Sequence, residues 1–292
     1  MKKNAMLLRI FALVLALMLS LPMMAGAETT DAAELAEGAD IRIMSYNIMH
    51  PDWSKSPIKN RSQAVLNILD YYKPDVVGVQ EADAKWQRFW ITNLIDTGLY
   101  APACRQSNAD GFQFNLTTFL YNPQTIKLID EYVLDLDANS NIRVLAVAVF
   151  EKIADGSRFV VCNTHPASST EVENYTRNCA DIMTLAAQEM AKYADLPFFM
   201  TGDYNTNEGS EMYQTIMTTL GLQDAKYAAE TMVRNHVTYV EWNTDPAENP
   251  LYYIDHIFVN DKANVKLFNV VIDYDANITS DHFPIYADID LK

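Results

Sequence analysis

Several short stretches of the chain end in side chains that can bind a divalent cation or transfer a proton. In residues 196–207, an apolar run from Leu196 to Met200 is followed by Gly202, Asp203 and Asn205. A carboxylate with a carboxamide two residues later can hold one hard cation or orient one water molecule. The alternative is a polar turn, because Asp and Asn are common turn residues.

The same pattern, an apolar strand with a polar side chain at its end, recurs along the chain. Taken alone, each case has an ordinary explanation: Glu81 can cap the helix that follows it, and a histidine at a strand end is usually structural. Their recurrence favours a shared site. The candidate residues are Asn47, Glu81, His165, Asp203, Asn205, Asp255, Asp281 and His282.

This set of side chains indicates hydrolysis. Oxygen ligands select Mg²⁺, Mn²⁺ or Ca²⁺ rather than zinc. The sequence contains no Gly-rich phosphate loop, no GxSxG motif and no CxxC pair. The residues therefore fit cleavage of a phosphoester by metal-activated water, with histidine and carboxylate moving protons.

The elements that must position these residues are predicted from the spacing of apolar side chains. Period-two or continuous apolar patterns predict strands at 41–48, 75–81, 117–122, 126–134, 143–150, 159–165, 196–200, 253–259, 265–272 and 285–291. Helical spacing predicts helices at 61–72, 172–193 and 211–220, the last one ending at Gly221. A further helix is expected through Trp86 and Leu94.

The first 27 residues resemble a secretory signal peptide. Lys2, Lys3 and Arg9 form a basic start, an apolar stretch follows, and Ala25–Ala27 is a small-residue cleavage pattern. Residues 28–40 are Ala/Glu-rich and are expected to be a mobile spacer. One domain is expected over residues 41–292, and the mature protein is expected to be secreted, monomeric and without a stable membrane anchor.

The mature chain is strongly acidic. Loss of the three basic residues with the leader leaves 19 basic against 38 acidic residues, a formal net charge of −19. Such a surface repels polyanions at long range, although a bound divalent cation can dominate the local field. The cations that we expect near the site are Lys55, Lys59, Arg61 and Arg105.

Three cysteines, Cys104, Cys162 and Cys179, cannot all pair within one chain. An exported protein can form one disulfide, and the sequence does not choose the pair.

Six ordered motifs resemble those of the endonuclease/exonuclease/phosphatase superfamily, which includes deoxyribonucleases, neutral sphingomyelinases and inositol polyphosphate 5-phosphatases. The resemblance extends from Ile41 to the C-terminus and implies a four-layer α/β sandwich, with two packed mixed β-sheets flanked by helices. The motifs are Ser45-Tyr-Asn47, Gln80-Glu81, Asn163-Thr-His165, Gly202-Asp-Tyr-Asn205, Ile254-Asp255 and Ser280-Asp-His282.

The resemblance implies Mg²⁺ as cofactor, with Mn²⁺ or Ca²⁺ as alternatives. Glu81 resembles the principal metal ligand of this superfamily. Asn47 is similar to the residue that supports it, and Asp281 is similar to a further carboxylate on the metal side.

The remaining residues resemble the catalytic groups of the superfamily. Asp203 resembles the residue that orients or deprotonates the attacking water, and Asn205 resembles its partner against the phosphate. His282 is similar to the histidine that contacts the phosphate and transfers a proton, with Asp255 holding its imidazole. His165 is similar to the second histidine of the nuclease and sphingomyelinase branches.

These residues predict an exported, Mg²⁺-dependent phosphodiesterase or phosphatase. Duplex DNA binding normally uses several Lys or Arg contacts to phosphate, and this chain has no clustered basic segment. We therefore expect a small phosphorylated molecule or a lipid head group as substrate. A secreted nuclease acting on DNA or RNA is the alternative, and an inactive binding module of the same fold is more remote.

The leader predicts cleavage on export. Mass spectrometry of the secreted protein should find Glu28, or a residue close to it, at the N-terminus. An intact Met1 on membrane-bound protein would contradict the prediction.

Overall fold

The structure is a computed structural model, and it describes residues 34–54, 56–104, 116–136, 143–241 and 252–292. The predicted signal peptide lies outside the described residues, as do residues 28–33 of the predicted spacer. The compact unit begins at Leu35, ahead of the predicted domain boundary at Ile41. Main-chain N–H groups attach this start to the last strand, with Ala36 donating to Asp288 Oδ2 at 2.9 Å.

In the described part of the chain, the first sheet has seven strands in the order β10-β12-β13-β1-β2-β4-β3. Strands β1 and β2 are parallel at its centre, and β13 pairs antiparallel with β1. Its strands are β1 (Ile41–Asn47), β2 (Val76–Gln80), β3 (Ala101–Ala103), β4 (Thr118–Tyr121), β10 (Thr231–Arg234), β12 (Ala263–Val270) and β13 (Ile285–Leu291).

The second sheet has six strands within the same described ranges, in the order β5-β6-β7-β8-β11-β9. Strands β7 and β8 are parallel, and β11 is antiparallel to β8. Its strands are β5 (Ile126–Asp135), β6 (Val144–Lys152), β7 (Arg158–Thr164), β8 (Phe198–Asp203), β9 (Gln223–Asp224) and β11 (Asp255–Val259).

Helices cover the outer faces of both sheets. Tyr72 of α1 packs its ring 5.5 Å from that of Tyr286 in the first sheet, while α3 and α4 bury Ile182 and Ile216 with Phe198 of the second sheet. The helices are α1 (Ile58–Tyr72), α2 (Ala84–Trp90), α3 (Val172–Lys192), α4 (Glu211–Leu220), α5 (Ala225–Ala228) and α6 (Tyr274–Thr279), with a π-helix at Ile91–Ile95.

Local capping chemistry explains why α4 begins and ends where it does. The Ser210 hydroxyl accepts the N–H of Tyr213 at the start, and Gly221 adopts a left-handed φ of 66° at the end. The predicted stop at Gly221 is confirmed. No helix in the described ranges is long and apolar enough to cross a membrane.

The inner faces of the two sheets meet, because β1 and β2 contact β7, β8 and β11. The predicted architecture of two packed mixed sheets flanked by helices is confirmed. All three cysteines are buried free thiols, so the disulfide that an exported chain could have formed is not present in this structure.

The sheets approach each other closely at Gly78 in β2. A Cβ atom at this position would lie 2.1 Å from Thr201 Oγ1 and 2.9 Å from Asn163 Oδ1, both on the facing sheet. A glycine is therefore required here by the inter-sheet spacing, below the ends of the strands that carry the candidate site.

We expect Gly78→Ala to lower the free energy of unfolding by about 1–3 kcal/mol, because an added methyl group overpacks a tight interface. Urea unfolding measures this loss. Thr201→Ala removes the nearest atom, so the loss in the double variant should be smaller than the sum of the two single losses. Wild-type stability in Gly78→Ala, or simple additivity, would contradict the packing argument.

Candidate active site

Four of the candidate residues lie at the carboxyl ends of parallel strands. Asn47 ends β1, Glu81 follows β2, His165 follows β7 and Asp203 ends β8. Because β1–β2 and β7–β8 are parallel pairs, these residues collect at one edge of each sheet, the usual location of sites in α/β folds. Packing of the two sheets then brings the two edges together.

Asn47 joins the two edges by hydrogen bonds. Its Nδ2 donates to Glu81 Oε1 at 3.1 Å and to Asp203 Oδ2 at 3.0 Å. Its Oδ1 accepts the N–H of Met49 at 2.9 Å. In this arrangement the Asn47 amide holds two carboxylates from different sheets side by side.

Asp203, His282 and Asp255 form a continuous polar contact. Asp203 and Asp255 are directly opposite in the antiparallel pair β8–β11. His282 Nδ1 lies 2.8 Å from Asp255 Oδ2, and its Nε2 lies 3.6 Å from Asp203 Oδ2. An ionised carboxylate accepts hydrogen bonds and cannot donate them. The contact with Asp255 therefore places a proton on Nδ1 of His282, and Nε2 faces Asp203.

His165 and Asn205 lie on the other side of Asp203. His165 Nε2 is 3.4 Å from Asp203 Oδ2. Asn205 has a left-handed φ of 51°, and its main-chain N–H donates to Asp203 Oδ1 at 2.8 Å. Its Nδ2 donates to the carbonyl of Pro166 at 3.2 Å, which ties the two strand ends together.

Asp281 lies at the margin of this group. It is half-buried, and its Oδ1 accepts the hydroxyl of Ser280 at 3.3 Å. Ser280 also donates to the main-chain carbonyl of Asn47 at 2.7 Å. The turn that carries Asp281 and His282 is therefore attached to the end of β1, so all eight predicted residues lie in one region.

Burial and neighbouring charges shift the pKa values of the central groups. Burial raises the pKa of Asp203 to about 7, although His282 opposes this shift. Burial lowers the pKa of His282, but the carboxylates of Asp255 and Asp203 outweigh it, so this pKa is raised well above its usual value. Burial, together with Arg143 and His282, lowers the pKa of His165 well below its usual value. At neutral pH, His282 is thus a cation and His165 is neutral.

Arg143 is a site cation that the sequence analysis missed. Its Nη1 donates to the carbonyl of His165 at 3.1 Å. Burial lowers the pKa of Arg143, while the nearby carboxylates of Asp203 and Glu81 raise it, and a guanidinium stays charged throughout the physiological range. A lone arginine at the start of a predicted strand gave no signal, because only the pairing of β6 with β7 places it beside His165.

The expectation that Arg61 is a cation available to a substrate was wrong. The side chain is fully buried in α1, where its Nε donates to the carbonyl of Thr279 and its Nη2 donates to the carbonyls of Ile48 and Met49. Arg61 therefore clamps the loop after Asn47 to the turn before Asp281. Periodicity showed a helix here but could not show that this arginine faces inward.

Of the other expected cations, Lys55 and Arg105 lie outside the described residues. Lys59 is exposed at the start of α1. It lines a surface groove of about 670 Å³ together with Arg88 and Phe89.

Two tyrosines border the site beside His282. The ring of Tyr239 packs 4.9 Å from the imidazole of His282, and Tyr252 packs edge-on against Tyr239 at 5.6 Å. Tyr252 is 45% exposed. Neither tyrosine is among the eight residues predicted from the sequence.

On the Glu81 side, the loop after β1 supplies a third ring. The main-chain N–H of His50 donates to Glu81 Oε2 at 2.5 Å, and the ring of Trp53 lies 5.0 Å from that of His50. Trp53 is 66% exposed. Exposed aromatic surface thus lies on two sides of a polar centre.

The donor set fits a divalent metal ion. Polar atoms of Asp203, Asp255 and His282 lie within 4.8 Å of one another, and of these three groups the two carboxylates can bind a cation while the imidazole is protonated. Asp255 Oδ1 is buried and, among the described residues, has no hydrogen-bond partner. Glu81, which Asn47 links to Asp203, adds a further oxygen ligand, and oxygen-rich sets of this kind suit Mg²⁺, Mn²⁺ or Ca²⁺.

The profile of the Endonuclease/Exonuclease/phosphatase family matches residues 44–282, and the chain belongs to this family. Members of the family are phosphoesterases or nucleases. The resemblance seen in the six sequence motifs is thereby confirmed. A comparison with curated protein sequences found no match.

Solved structures share the fold. An endonuclease/exonuclease/phosphatase from Bacteroides vulgatus is 22% identical, with a TM-score of 0.73 over 86% of this chain and 99% of that chain. The mannosyl-6-phosphatase of Bacteroides thetaiotaomicron VPI-5482 is 18% identical, with a TM-score of 0.68 over 85% of this chain and 99% of that one. D. rerio TDP2, complexed with a single-strand DNA product, is 18% identical, with a TM-score of 0.64 over 85% and 98%.

The raised pKa of Asp203 predicts a pH-dependent stability. Its folded-state pKa of about 7 exceeds the unfolded value of about 3.9. The folded state therefore retains a proton that the unfolded state releases, and stability falls as pH rises through this window. Asp203→Asn removes this titration, so its stability relative to wild type should increase from about pH 4 to about pH 7.

Thermal unfolding in excess chelator over this pH range measures the difference between Asp203→Asn and wild type. If the difference in stability between the two proteins does not change with pH, burial of the Asp203 carboxylate does not control its titration.

Proposed function

We propose that this protein is an exported, divalent-metal-dependent phosphoester hydrolase that acts on a small phosphorylated molecule or a lipid head group. The observation that carries the proposal is the contact of His282 with both Asp255 and Asp203. It places a fixed, protonated imidazole beside a buried carboxylate. Membership of a family of phosphoesterases and nucleases supports the hydrolytic chemistry.

Asp203 and His282 have complementary proton-transfer roles in this proposal. Asp203 orients the attacking water and accepts its proton, because a base with a pKa near the working pH transfers protons efficiently. Asp255 fixes the His282 ring through Nδ1, so Nε2–H is directed at the substrate. His282 then binds a phosphate oxygen and donates a proton to the leaving oxygen.

Glu81 is the principal residue proposed to hold the metal ion, supported by Asn47 and with Asp281 on the same side. When bound, a divalent ion would offset the charge of the phosphate and polarise it.

Two further groups bind the phosphate in this proposal. Arg143 is charged and lies next to His165 and Asp203, and a guanidinium forms paired hydrogen bonds with phosphate oxygens. The side chain of Asn205 is tied at Nδ2 to the Pro166 carbonyl, which leaves its carbonyl oxygen and second N–H for substrate or water. His165, being neutral, can accept a hydrogen bond without repelling Arg143.

The substrate preference rests on charge. The whole chain carries −16, and Arg61, one of the expected cations, is committed to main-chain carbonyls. A duplex normally needs several phosphate contacts. A structural relative that is a mannosyl-6-phosphatase supports a small phosphorylated substrate, while a relative complexed with single-strand DNA product makes a nuclease the alternative to test.

Purified mature protein should hydrolyse sugar phosphates, inositol phosphates or sphingomyelin with Mg²⁺ faster than plasmid DNA or RNA at equal enzyme concentration. Excess chelator should abolish turnover, and Mg²⁺ should restore it. Asp203→Ala and His282→Ala should each lower kcat by about 10²–10⁴-fold, the usual contribution of a general acid or base. Their combined effect should be far from additive.

Efficient plasmid nicking at nanomolar enzyme, absent in Asp203→Ala, would replace this proposal by the nuclease. Full activity in chelator would refute the metal requirement. Wild-type rates in either single variant would refute the assigned roles of Asp203 and His282.

A further inference from the structure

Thr238 lies beside Asp255 and is fully buried. Its Oγ1 accepts two consecutive main-chain N–H groups, those of Ile254 and Asp255, each at 3.1 Å. Strand β9 pairs with β11 further along, at Phe258 and Val259. At the start of β11, the Thr238 hydroxyl thus takes the place of a neighbouring strand as hydrogen-bond acceptor for the main chain.

The same residue is also attached to the His282 turn. The main-chain carbonyl of Thr238 accepts the N–H of Phe283 at 2.7 Å. The next residue, Tyr239, forms a β-bridge with His282 and packs its ring 4.9 Å from the imidazole. Thr238 therefore contacts the chain next to both members of the Asp255–His282 pair, which are far apart in sequence.

The Asp255 carboxylate has little else to fix it. Its Oδ2 accepts from His282 Nδ1 at 2.8 Å, whereas its Oδ1, across the described residues, has no hydrogen-bond partner. The direction of the carboxylate is consequently set by the main chain that carries it. That main chain is held by β8 on one side and by Thr238 on the other.

We propose that Thr238 is a positioning residue for the reaction: its hydroxyl fixes the main chain at Asp255 and so aims the imidazole of His282. This inference rests on the proposed function, because it assumes that the pair transfers a proton. Thr238 itself touches neither substrate nor metal. Its loss should slow the chemical step and leave substrate binding unchanged, since misplacement of a catalytic group by about 1 Å can cost roughly 10²-fold in rate.

Two substitutions at Thr238 separate the effect of the hydroxyl from the effect of side-chain shape. Thr238→Val keeps the volume but leaves two buried N–H groups without an acceptor, whereas Thr238→Ser keeps the acceptor. Thr118→Val is the matched control. Thr118 is also buried, and its hydroxyl donates to the carbonyl of Ala103 at 2.7 Å, in the first sheet.

Steady-state kinetics with bis(p-nitrophenyl) phosphate and p-nitrophenyl phosphate in Mg²⁺ test the proposal. Thr238→Val should lower kcat by roughly 10- to 100-fold, with KM within about twofold of wild type. Thr238→Ser should restore most of kcat. Thr118→Val should lose stability to a similar extent yet retain kcat.

Amide hydrogen exchange followed by NMR gives a readout that needs no activity. The amides of Ile254 and Asp255 should be protected in wild type and in Thr238→Ser. In Thr238→Val they should exchange faster by roughly tenfold or more, because their acceptor is gone. If wild type hydrolyses neither phosphoester, the kinetics use a sugar phosphate, inositol phosphate or sphingomyelin that it cleaves. If it cleaves none of them, the proposed function has failed, and the exchange rates alone decide whether Thr238 fixes Asp255.

Unchanged kcat in Thr238→Val, an equal kcat loss in Thr118→Val, or no rescue by Thr238→Ser would overturn the proposal. If Thr238→Val does not fold, Thr238→Cys replaces it, because a thiol is a weak acceptor of similar size. Unprotected Ile254 and Asp255 amides in the wild-type protein would refute the tether directly.

Discussion

The side chain of Asn163 is the contact on which the relative position of the two sheets depends. It is completely buried in β7, and its Nδ2 crosses to the first sheet, donating to the carbonyls of Val79 at 3.0 Å and Thr118 at 2.8 Å. Its Oδ1 accepts Gln80 Nε2 at 2.7 Å and Thr201 Oγ1 at 3.2 Å. A buried polar group is stable only when these partners are in place. The network therefore admits one arrangement of the sheets, whereas apolar packing alone would tolerate small shifts.

This network lies directly below the site. Gln80 precedes Glu81, Asn163 comes two residues before His165, and Thr201 comes two residues before Asp203. Because side chains alternate along a strand, Asn163 and Thr201 share a strand face with His165 and Asp203. Glu81 directly follows Gln80, and its left-handed φ of 63° at the end of β2 turns it out of the strand alternation. Fixing the sheets at Asn163 thus fixes the distance between Glu81 and Asp203, which Asn47 then bridges.

The charges of the site form a second constraint. Four carboxylates converge, with Glu81, Asp203 and Asp255 almost completely buried. His282 and Arg143 supply positive charge next to them. The buried guanidinium of Arg61 also attracts the carboxylates of Asp281 and Glu81 electrostatically. An excess of buried carboxylate is costly without further positive charge. The site is therefore suited to a divalent cation and, through that cation, to a phosphate on an otherwise acidic protein.

The sequence by itself determined the strands that carry the site, because periodicity and turn residues are local signals. It indicated the fold class through the resemblance of its six motifs to a known superfamily. Asn47, Glu81, His165 and Asp203 were found from strand ends alone. Tertiary structure decided which side chains face the site, since that depends on pairing between distant segments. Arg61 turned inward as a clamp, Arg143 entered the site through the β6–β7 pairing, and Thr238 came to lie against Asp255. No local pattern distinguishes these three residues, because their roles come from neighbours that the chain brings together only on folding.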